Sequence, residues 1–143
     1  MVNYINTADV IGDHEFCAQF LSRTLTEYKD NRVTKLRRQA FYGCKSLTIV
    51  DLPNVQSIET EAFRGATGLK SFILRGNTVV TLATRVFADI NAANTGLHIY
   101  VPARLVDTYK SATNWSAFAS YFRAIEDYTV DGTLTGELDE SKI

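Results

Sequence analysis

Two histidines and two cysteines are the side chains of this 143-residue chain that could most readily support catalysis or metal binding. His14 lies between two acidic residues, in a segment that we predict to be a solvated helix surface. His98 lies two residues before Tyr100 on a predicted strand. Neither histidine belongs to an HExxH sequence or a C-x2-C grouping, and the chain has no P-loop and no GxGxxG sequence. We therefore predict no enzyme, no cofactor and no metal, with a hydrolase as the least favoured alternative.

Charged side chains are segregated along the chain, and the charged segments could take part in binding a partner. Residues 31–76 carry eight basic and three acidic side chains, whereas residues 126–143 carry one basic and six acidic ones. Arg37 and Arg38 are predicted to lie on an outward loop, where they could receive the acidic C-terminal residues Asp131, Glu137, Asp139 and Glu140. Solvated faces are the simpler explanation of the same pattern. The net charge of −1 argues against a nucleic-acid binder.

The elements that position these side chains follow an internal repeat. Residues 36–52 read L-x4-F-x-G-C-x2-L-x2-V-x-L, and the same apolar pattern recurs over residues 58–74. A third, weaker copy retains Leu82 and Phe87, and a strand segment follows at residues 99–101. Such periods are typical of solenoids, whose coils share one core because no coil buries its apolar face alone. We predict a β-rich α/β solenoid of about three coils.

Each predicted coil combines a short strand with a return segment. The apolar residues of the strand segment 47–52 point inward, and the Ala-Phe-x-Gly sequence forms the return side. There Phe41 fills the interior, and Gly43 allows a turn with positive φ or a close approach to the neighbouring coil. Cys44 aligns with Ala66 of the next coil, so we predict a small buried side chain and not a reactive thiol.

Residues 32–74 resemble the BspA-like class of bacterial leucine-rich repeats, whose units read I-x4-AF-x-(G/N)-C-x-x-L-x-x-I-x-L-P. The similarity covers residues 32–102, and the segment after it resembles the C-terminal cap that follows such repeats. The last residues resemble the end of short members encoded in phages and prophages of gut bacteria. Two features depart from the family pattern: Ala66 stands where the family has cysteine, and the third unit has lost its Gly-Cys pair.

So short a stack needs capping elements at both ends. We predict an N-terminal helix from Asp9 to Leu21, then a strand through Tyr28. At the other end Pro102 opens a first aromatic helix and Asn114 caps a second. The single domain thus comprises an N-terminal helix–strand cap (1–31), leucine-rich repeats (32–102), a C-terminal helical cap (103–127) and an acidic arm (128–143). We expect the arm to be a projecting hairpin, or to order on a partner.

Strand residues that do not point inward are predicted to line one binding face, formed by Ile49, Asp51, Ser71, Ile73, His98 and Tyr100. Ile73 and Tyr100 would form an exposed apolar pair, although scattered surface residues are equally normal. The resemblance implies binding of a protein or a surface glycan by a virion-associated or prophage-encoded accessory or adhesion protein. The alternative is a decoration or connector subunit of a phage particle, where partners include other virion proteins or further copies of the chain.

Composition and the N-terminal residues limit the cellular setting. The chain is 45% hydrophobic and 22% charged, as in ordinary globular domains. It contains no run of about 18 apolar residues and begins without a basic and apolar secretory signal. We expect no membrane partner, and a cytoplasmic location unless the protein is carried on a virion.

Overall fold

The structure is a computed structural model that describes residues 10–11, 25–90, 96–125, 129–130 and 133–134. Short strands joined by turns are their main regular elements. The elements are β1 (Val10–Ile11), β2 (Glu27–Lys29), β3 (Lys35–Leu36), β4 (Ile49–Asp51), β5 (Ser57–Ile58), β6 (Ser71–Ile73), β7 (Thr81–Leu82), β8 (His98–Val101), α1 (Val106–Ser111), β9 (Phe122–Ala124), β10 (Thr129–Val130) and β11 (Thr133–Leu134). Two 3-10 segments, Ala103–Leu105 and Ser116–Tyr121, flank α1.

Strands β1 to β9 form two parallel sheets, which the chain visits alternately from β1 to β8. A four-stranded sheet has the order β1-β3-β5-β7, and a five-stranded sheet has the order β2-β4-β6-β8-β9. Ile49 pairs with Ser71, and Ser71 pairs in turn with His98. In the other sheet Ser57 pairs with Thr81. These partners are the residues that the sequence repeat aligns, so the repeat offsets are the strand registers of a solenoid. The predicted fold class is confirmed.

The two-sheet pattern extends one coil further toward the N-terminus than the three predicted coils. β1 pairs with β3 and β2 pairs with β4, so the N-terminal segment places one strand in each sheet, as every later coil does. The helix predicted from Asp9 is wrong at Val10–Ile11, where two β-branched residues suit a pleated ladder better than a helix. The rest of that predicted helix, with Cys17 and His14, lies outside the described residues. The predicted strand through Tyr28 is confirmed by β2.

The core lies between the two sheets. Its members are the inward strand residues, the return-side phenylalanines and the small residues beside them. Val50, Phe72 and Ile99, which are neighbours in register, are fully buried. Cys44 and Ala66 are fully buried as well, which confirms the prediction that Cys44 is a small core residue.

Left-handed backbone recurs at two positions of each return segment. The first is occupied by Gln39, Glu61 and Arg85, with φ of +56°, +58° and +61°, and the second is the glycine position of the repeat. Gly43 has φ +73° and Gly65 has φ +76°, as the repeat predicts. The corresponding residue of the third unit is Asp89, with φ +65°. Aspartate tolerates this region better than most side chains do. The third unit has therefore lost the glycine of the sequence pattern but kept the backbone conformation.

The C-terminal cap differs from the predicted pair of helices. The 3-10 turn after Pro102 and α1 form the first element, and α1 buries Tyr109. The second is a 3-10 segment interrupted at Phe118, and Phe122–Ala124 is not helical but forms β9, which pairs with β8. A parallel strand covers the end of the five-stranded sheet with backbone hydrogen bonds, which a helix cannot supply.

Asn114 does not have the predicted role of a helix N-cap. Its φ is +66°, and its side-chain amide donates a hydrogen bond of 2.7 Å to the carbonyl of Leu82. In the preceding coils the equivalent carbonyls of Leu36 and Ile58 accept from backbone N–H groups of the next coil, at 2.9 and 3.0 Å. Asn114 thus supplies the donor that a further coil would have provided.

Two more side chains of the cap complete the last coil in the same way. The Trp115 indole donates to the Val80 carbonyl at 2.8 Å, and the Val80 N–H donates to the Tyr109 hydroxyl at 2.9 Å. Burial raises the pKa of the Tyr109 phenol, which keeps this hydroxyl neutral. These contacts explain why large polar-tipped aromatics occupy the cap: they bury area and satisfy backbone groups at once.

Residues 129–134 carry the beginning of the acidic arm. β10 and β11 pair antiparallel, with Thr129 opposite Leu134 and Val130 opposite Thr133. This pairing agrees with the expected hairpin. The predicted docking residues of the arm, Asp131, Glu137, Asp139 and Glu140, lie outside the described residues.

Candidate functional site

The outward positions of the five-stranded sheet form two rows fixed by strand register. One row consists of Glu27, Ile49, Ser71 and His98. The other consists of Lys29, Asp51, Ile73, Tyr100 and Arg123. All six residues predicted from the sequence as a binding face therefore lie on one face, in three adjacent strands.

Two of these six residues are not accessible, which corrects the prediction of an exposed Ile73–Tyr100 pair. The exposed fraction is 1% for Asp51 and 2% for Ile73. The guanidinium of Arg75 reaches back along this face, and its Nη2 lies 3.0 Å from Oδ2 of Asp51. Ile73 sits between Asp51 and Tyr100 in register, so neighbouring side chains flank it on both sides. Asp51 and Ile73 are thus a supporting layer and not a contact surface.

The accessible part of the face is mixed in character. Ile49, Ser71, His98 and Tyr100 are half-buried, and Arg123 is exposed. The rings of His98 and Tyr100 meet edge to face, with centroids 6.1 Å apart. We call these five residues the sheet face.

Electrostatics on the sheet face favour a neutral histidine beside a positively charged arginine. Burial is the main cause that lowers the pKa of His98, and the nearby Arg123 charge lowers it further. The Arg123 guanidinium donates to the backbone carbonyls of Ser120 and Phe122, at 2.9 and 2.7 Å. At the other end of the sheet Lys29 and Glu27 form an ion pair of 3.3 Å, so their charges compensate each other.

Sequence reasoning missed Arg123 because it assigned this segment to a helix. The available signal for a strand was the alternation of an apolar residue, Phe122, with a charged residue, Arg123. In the structure Phe122 is buried and Arg123 is exposed. The face residues of β2, Glu27 and Lys29, were missed because the N-terminal segment was treated as a cap and not as a coil.

The return side carries a ladder of charges that link successive coils. Gln39 Nε2 donates to Glu61 at 2.9 Å, and Arg64 pairs with Glu61 and, at 2.7 Å, with Asp89. The hydrogen bond from Arg64, and then that from Gln39, lowers the pKa of the Glu61 carboxyl. Arg85 Nε lies 3.6 Å from Glu61. This ladder stabilises the stack and contains no arrangement of a nucleophile with a base.

The predicted basic docking group is partly compensated by the next coil. Arg37 and Arg38 are exposed, as predicted. Glu59 lies beside these residues: its carboxylate is 3.2 Å from Lys35 Nζ and accepts a hydrogen bond of 3.2 Å from the Arg38 backbone N–H. Exposure is therefore the property of Arg37 and Arg38 that the structure shares with the prediction.

Two further kinds of feature are absent from the part of the chain that the structure describes. No three or more histidine, cysteine, aspartate or glutamate side chains there gather in a way that could hold a metal ion. No helix there has both the length and the apolar character needed to cross a bilayer.

Comparison with protein families adds to this geometry. The family described as "BspA type Leucine rich repeat region (6 copies)" matches residues 2–129. The chain belongs to the BspA-type leucine-rich repeat family. The match begins well before residue 32, in agreement with the positions of β1 and β2 in the two sheets. A comparison with curated proteins finds no match. Leucine-rich repeat proteins of this kind are typically non-enzymatic modules that bind other proteins.

Proposed function

We propose that this leucine-rich repeat protein binds a protein partner through the sheet face, formed by Ile49, Ser71, His98, Tyr100 and Arg123. The observation that carries the proposal is the contrast between the two sides of the same strands. Inward residues in register are fully buried, whereas the outward residues that form the sheet face change chemistry from coil to coil and stay partly accessible. Solenoids use such continuous sheet surfaces for recognition.

The composition of the sheet face suits a protein–protein interface. Tyrosine and arginine are enriched at interface hot spots, and Ile49 adds an apolar contact. The strands hold these side chains at fixed spacing, so little conformational entropy is lost on binding. The Asp51–Arg75 pair, whose aspartate belongs to the second row, keeps that row in place. A surface glycan, stacked on the Tyr100 ring, is the second class of partner that the face would accept.

The setting we propose is that of a virion-associated or prophage-encoded accessory protein that contacts a host surface. Its support is the resemblance of the last residues to short phage and prophage proteins of this class. A decoration or connector subunit is the alternative, in which the acidic arm of one copy docks on the exposed Arg37 and Arg38 of another. Deleting residues 128–143 and measuring the mass by light scattering separates the two: an unchanged mass and unchanged particle attachment contradict the connector.

The sheet face is tested by labelled protein binding to whole host cells. Tyr100→Ala and Ile49→Glu should each weaken cell binding by about tenfold, as expected for loss of an interface anchor. Thr81→Glu is the matched control, because Thr81 is the exposed outward residue of β7 in the other sheet. Unfolding curves show whether each variant keeps its fold.

A photo-crosslinking residue placed at position 100 or at position 81 identifies the surface directly. Adducts with a host protein at position 100, and few at position 81, would support the proposal. Normal cell binding by both face variants would contradict it. Adducts with carbohydrate alone would replace the protein partner with a glycan.

A further inference from the structure

The return segments of successive coils are joined by a regular hydrogen-bond ladder. The N–H groups of Phe41 and Gly43 donate to carbonyls of the next coil at 2.7 and 2.8 Å. One coil later Phe63 and Gly65 donate in the same way, at 3.0 and 2.9 Å. In each case the two acceptor carbonyls belong to residues two apart. Each return segment therefore presents a pair of donors to the turn of the coil that follows it, spaced for two carbonyls that lie two residues apart.

The last coil ends this ladder with two unused donors. Phe87 and Asp89 are the equivalents of Phe63 and Gly65 in the next copy of the repeat. Their N–H groups have no acceptor among the residues that the structure describes. The cap completes the β7 end of the same coil through Tyr109, Asn114 and Trp115 but does not reach these two groups. We call Phe87 N–H and Asp89 N–H the open edge.

A groove of about 400 Å³ lies beside the Phe87 end of this open edge. One wall is the last return segment, residues 82–88, and the other is the cap, residues 114 and 116–118. The groove is lined by small side chains such as Ala83, Ala88 and Ala117, which leave room for the backbone of a bound chain segment. The volume falls in the range of ordinary ligand sites.

We propose that this terminal groove binds a turn-forming peptide whose backbone continues the ladder, with two carbonyls accepting from Phe87 N–H and Asp89 N–H. The mode is the return-side counterpart of strand addition to a sheet edge, in which backbone hydrogen bonds supply affinity. The site is separate from the sheet face and does not depend on the function proposed for it.

Two side chains beside the groove, Phe118 and Arg85, determine which residues the bound peptide can carry. Phe118 already packs against Phe87, with ring centroids 5.3 Å apart, so the residue between the two carbonyls must be small. Arg85 continues the side-chain ladder in which Gln39 contacts Glu61 and Glu61 contacts Arg85. An acidic residue immediately before the first carbonyl would pair with Arg85. The preferred ligand is therefore acidic–small–small, followed by a turn-forming segment.

The test uses a synthetic peptide that copies the chain's own return segment. The peptide ETEAARGATG corresponds to residues 59–68, with alanine in place of Phe63. Its addition should shift the amide NMR signals of Phe87, Ala88, Asp89 and Ala117. In the free protein, Phe87 N–H and Asp89 N–H should exchange with solvent about tenfold faster than Phe63 N–H and Gly65 N–H, and saturating peptide should remove that difference.

Matched variants separate binding from folding. Ala117→Trp fills the groove and should abolish the peptide-induced shifts, whereas Thr113→Trp, at an exposed residue outside the groove lining, should leave them unchanged. Arg85→Gln, or lysine in place of the second glutamate of the peptide, should weaken binding about tenfold. Amide spectra of both tryptophan variants report whether the fold is intact.

Three results would overturn the proposal. The first is slow exchange of Phe87 N–H and Asp89 N–H in the free protein, because the edge would then be closed already. The second is equal binding of the charge-reversed peptide. The third is protection that appears only at high protein concentration together with a doubled mass in light scattering, because a second copy would then be the occupant.

Discussion

Phe41 and Phe63 stack face to face, with ring centroids 5.0 Å apart and planes inclined by 4°. The two residues occupy the same position in successive copies of the repeat. Phe87 continues the column at 6.0 Å from Phe63, and Phe118 of the cap closes it edge to face. A column of rings thus runs through the coils and connects them to the C-terminal cap.

Removing the middle ring of this column should destabilise the stack more than removing its last ring. Phe63 is fully buried between two coils, so Phe63→Ala should lower the free energy of unfolding by about 3–5 kcal/mol. Phe118 is half-buried beside the terminal groove, and Phe118→Ala should cost about 1 kcal/mol. Urea denaturation followed by circular dichroism measures both. Equal losses would show that the column does not carry the stability of the stack.

Gly68 is required for close approach between coils. A Cβ added to Gly68 would lie 2.6 Å from the backbone carbonyl oxygen of Lys45, whereas a Cβ on Gly76 would lie 3.7 Å from that of Pro53. A backbone atom cannot rotate away, so Gly68→Ala should cost about 1–3 kcal/mol. Gly76→Ala is the control, since its nearest contact is ordinary van der Waals contact. If both variants unfold at the same urea concentration, the coils are less tightly stacked at Gly68 than the structure indicates.

The solenoid was predictable because the sequence pattern of one coil recurs in the next, so that each copy indicates the same strand and turn positions. Cys44 and Ala66 share a column of small core residues, and the offset that aligns them is the offset of the strand pairs. The first coil was harder to recognise because its strand Val10–Ile11 is only two residues long. A strand of two residues is too short to show a hydrophobic period, and its conformation is determined by its pairing with β3.

The details of the site were less predictable, because they depend on contacts between coils. Alternation correctly places Ile73 on the outer side of its strand, but it says nothing of the Arg75 side chain, which reaches Asp51 on the neighbouring strand. The cap posed a similar difficulty. Asn114 has a good helix-capping side chain, yet it adopts a left-handed backbone, and its side-chain nitrogen donates to the carbonyl of Leu82 in the neighbouring coil.

The buried Asp51–Arg75 ion pair should be costly to break from one side. With Asp51 removed, the Arg75 guanidinium keeps little access to solvent, so Asp51→Ala should lower the free energy of unfolding by about 3–5 kcal/mol. The double variant Asp51→Leu with Arg75→Met removes both charges and should recover most of that loss. Glu27→Gln, which breaks a more exposed pair on the same face, should cost less than about 1 kcal/mol. A double variant as unstable as Asp51→Ala would contradict this account.

His98 should make the protein less stable in mild acid. Burial, and then the charge of Arg123, lowers the pKa of His98 below its ordinary value of 6.5, so the folded protein holds this imidazole neutral where the unfolded chain begins to protonate. Between these two pKa values the unfolded state binds more protons, and stability therefore rises with pH. The contribution is complete above about pH 6.5 and is lost as the pH falls through the folded pKa.

The titration of the His98 imidazole by NMR measures this directly, with His14→Gln removing the other histidine signal. Arg123→Gln should raise the pKa of His98 toward its ordinary value, although part of the depression should remain because burial is the larger cause. In urea denaturation at about pH 7.5 and about pH 5.5, His98→Gln should show a smaller difference in unfolding free energy than the unmodified protein. A His98 pKa above 6.5 would reverse the sign of this dependence, and would mean that a carboxylate and not Arg123 governs the charge of the sheet face.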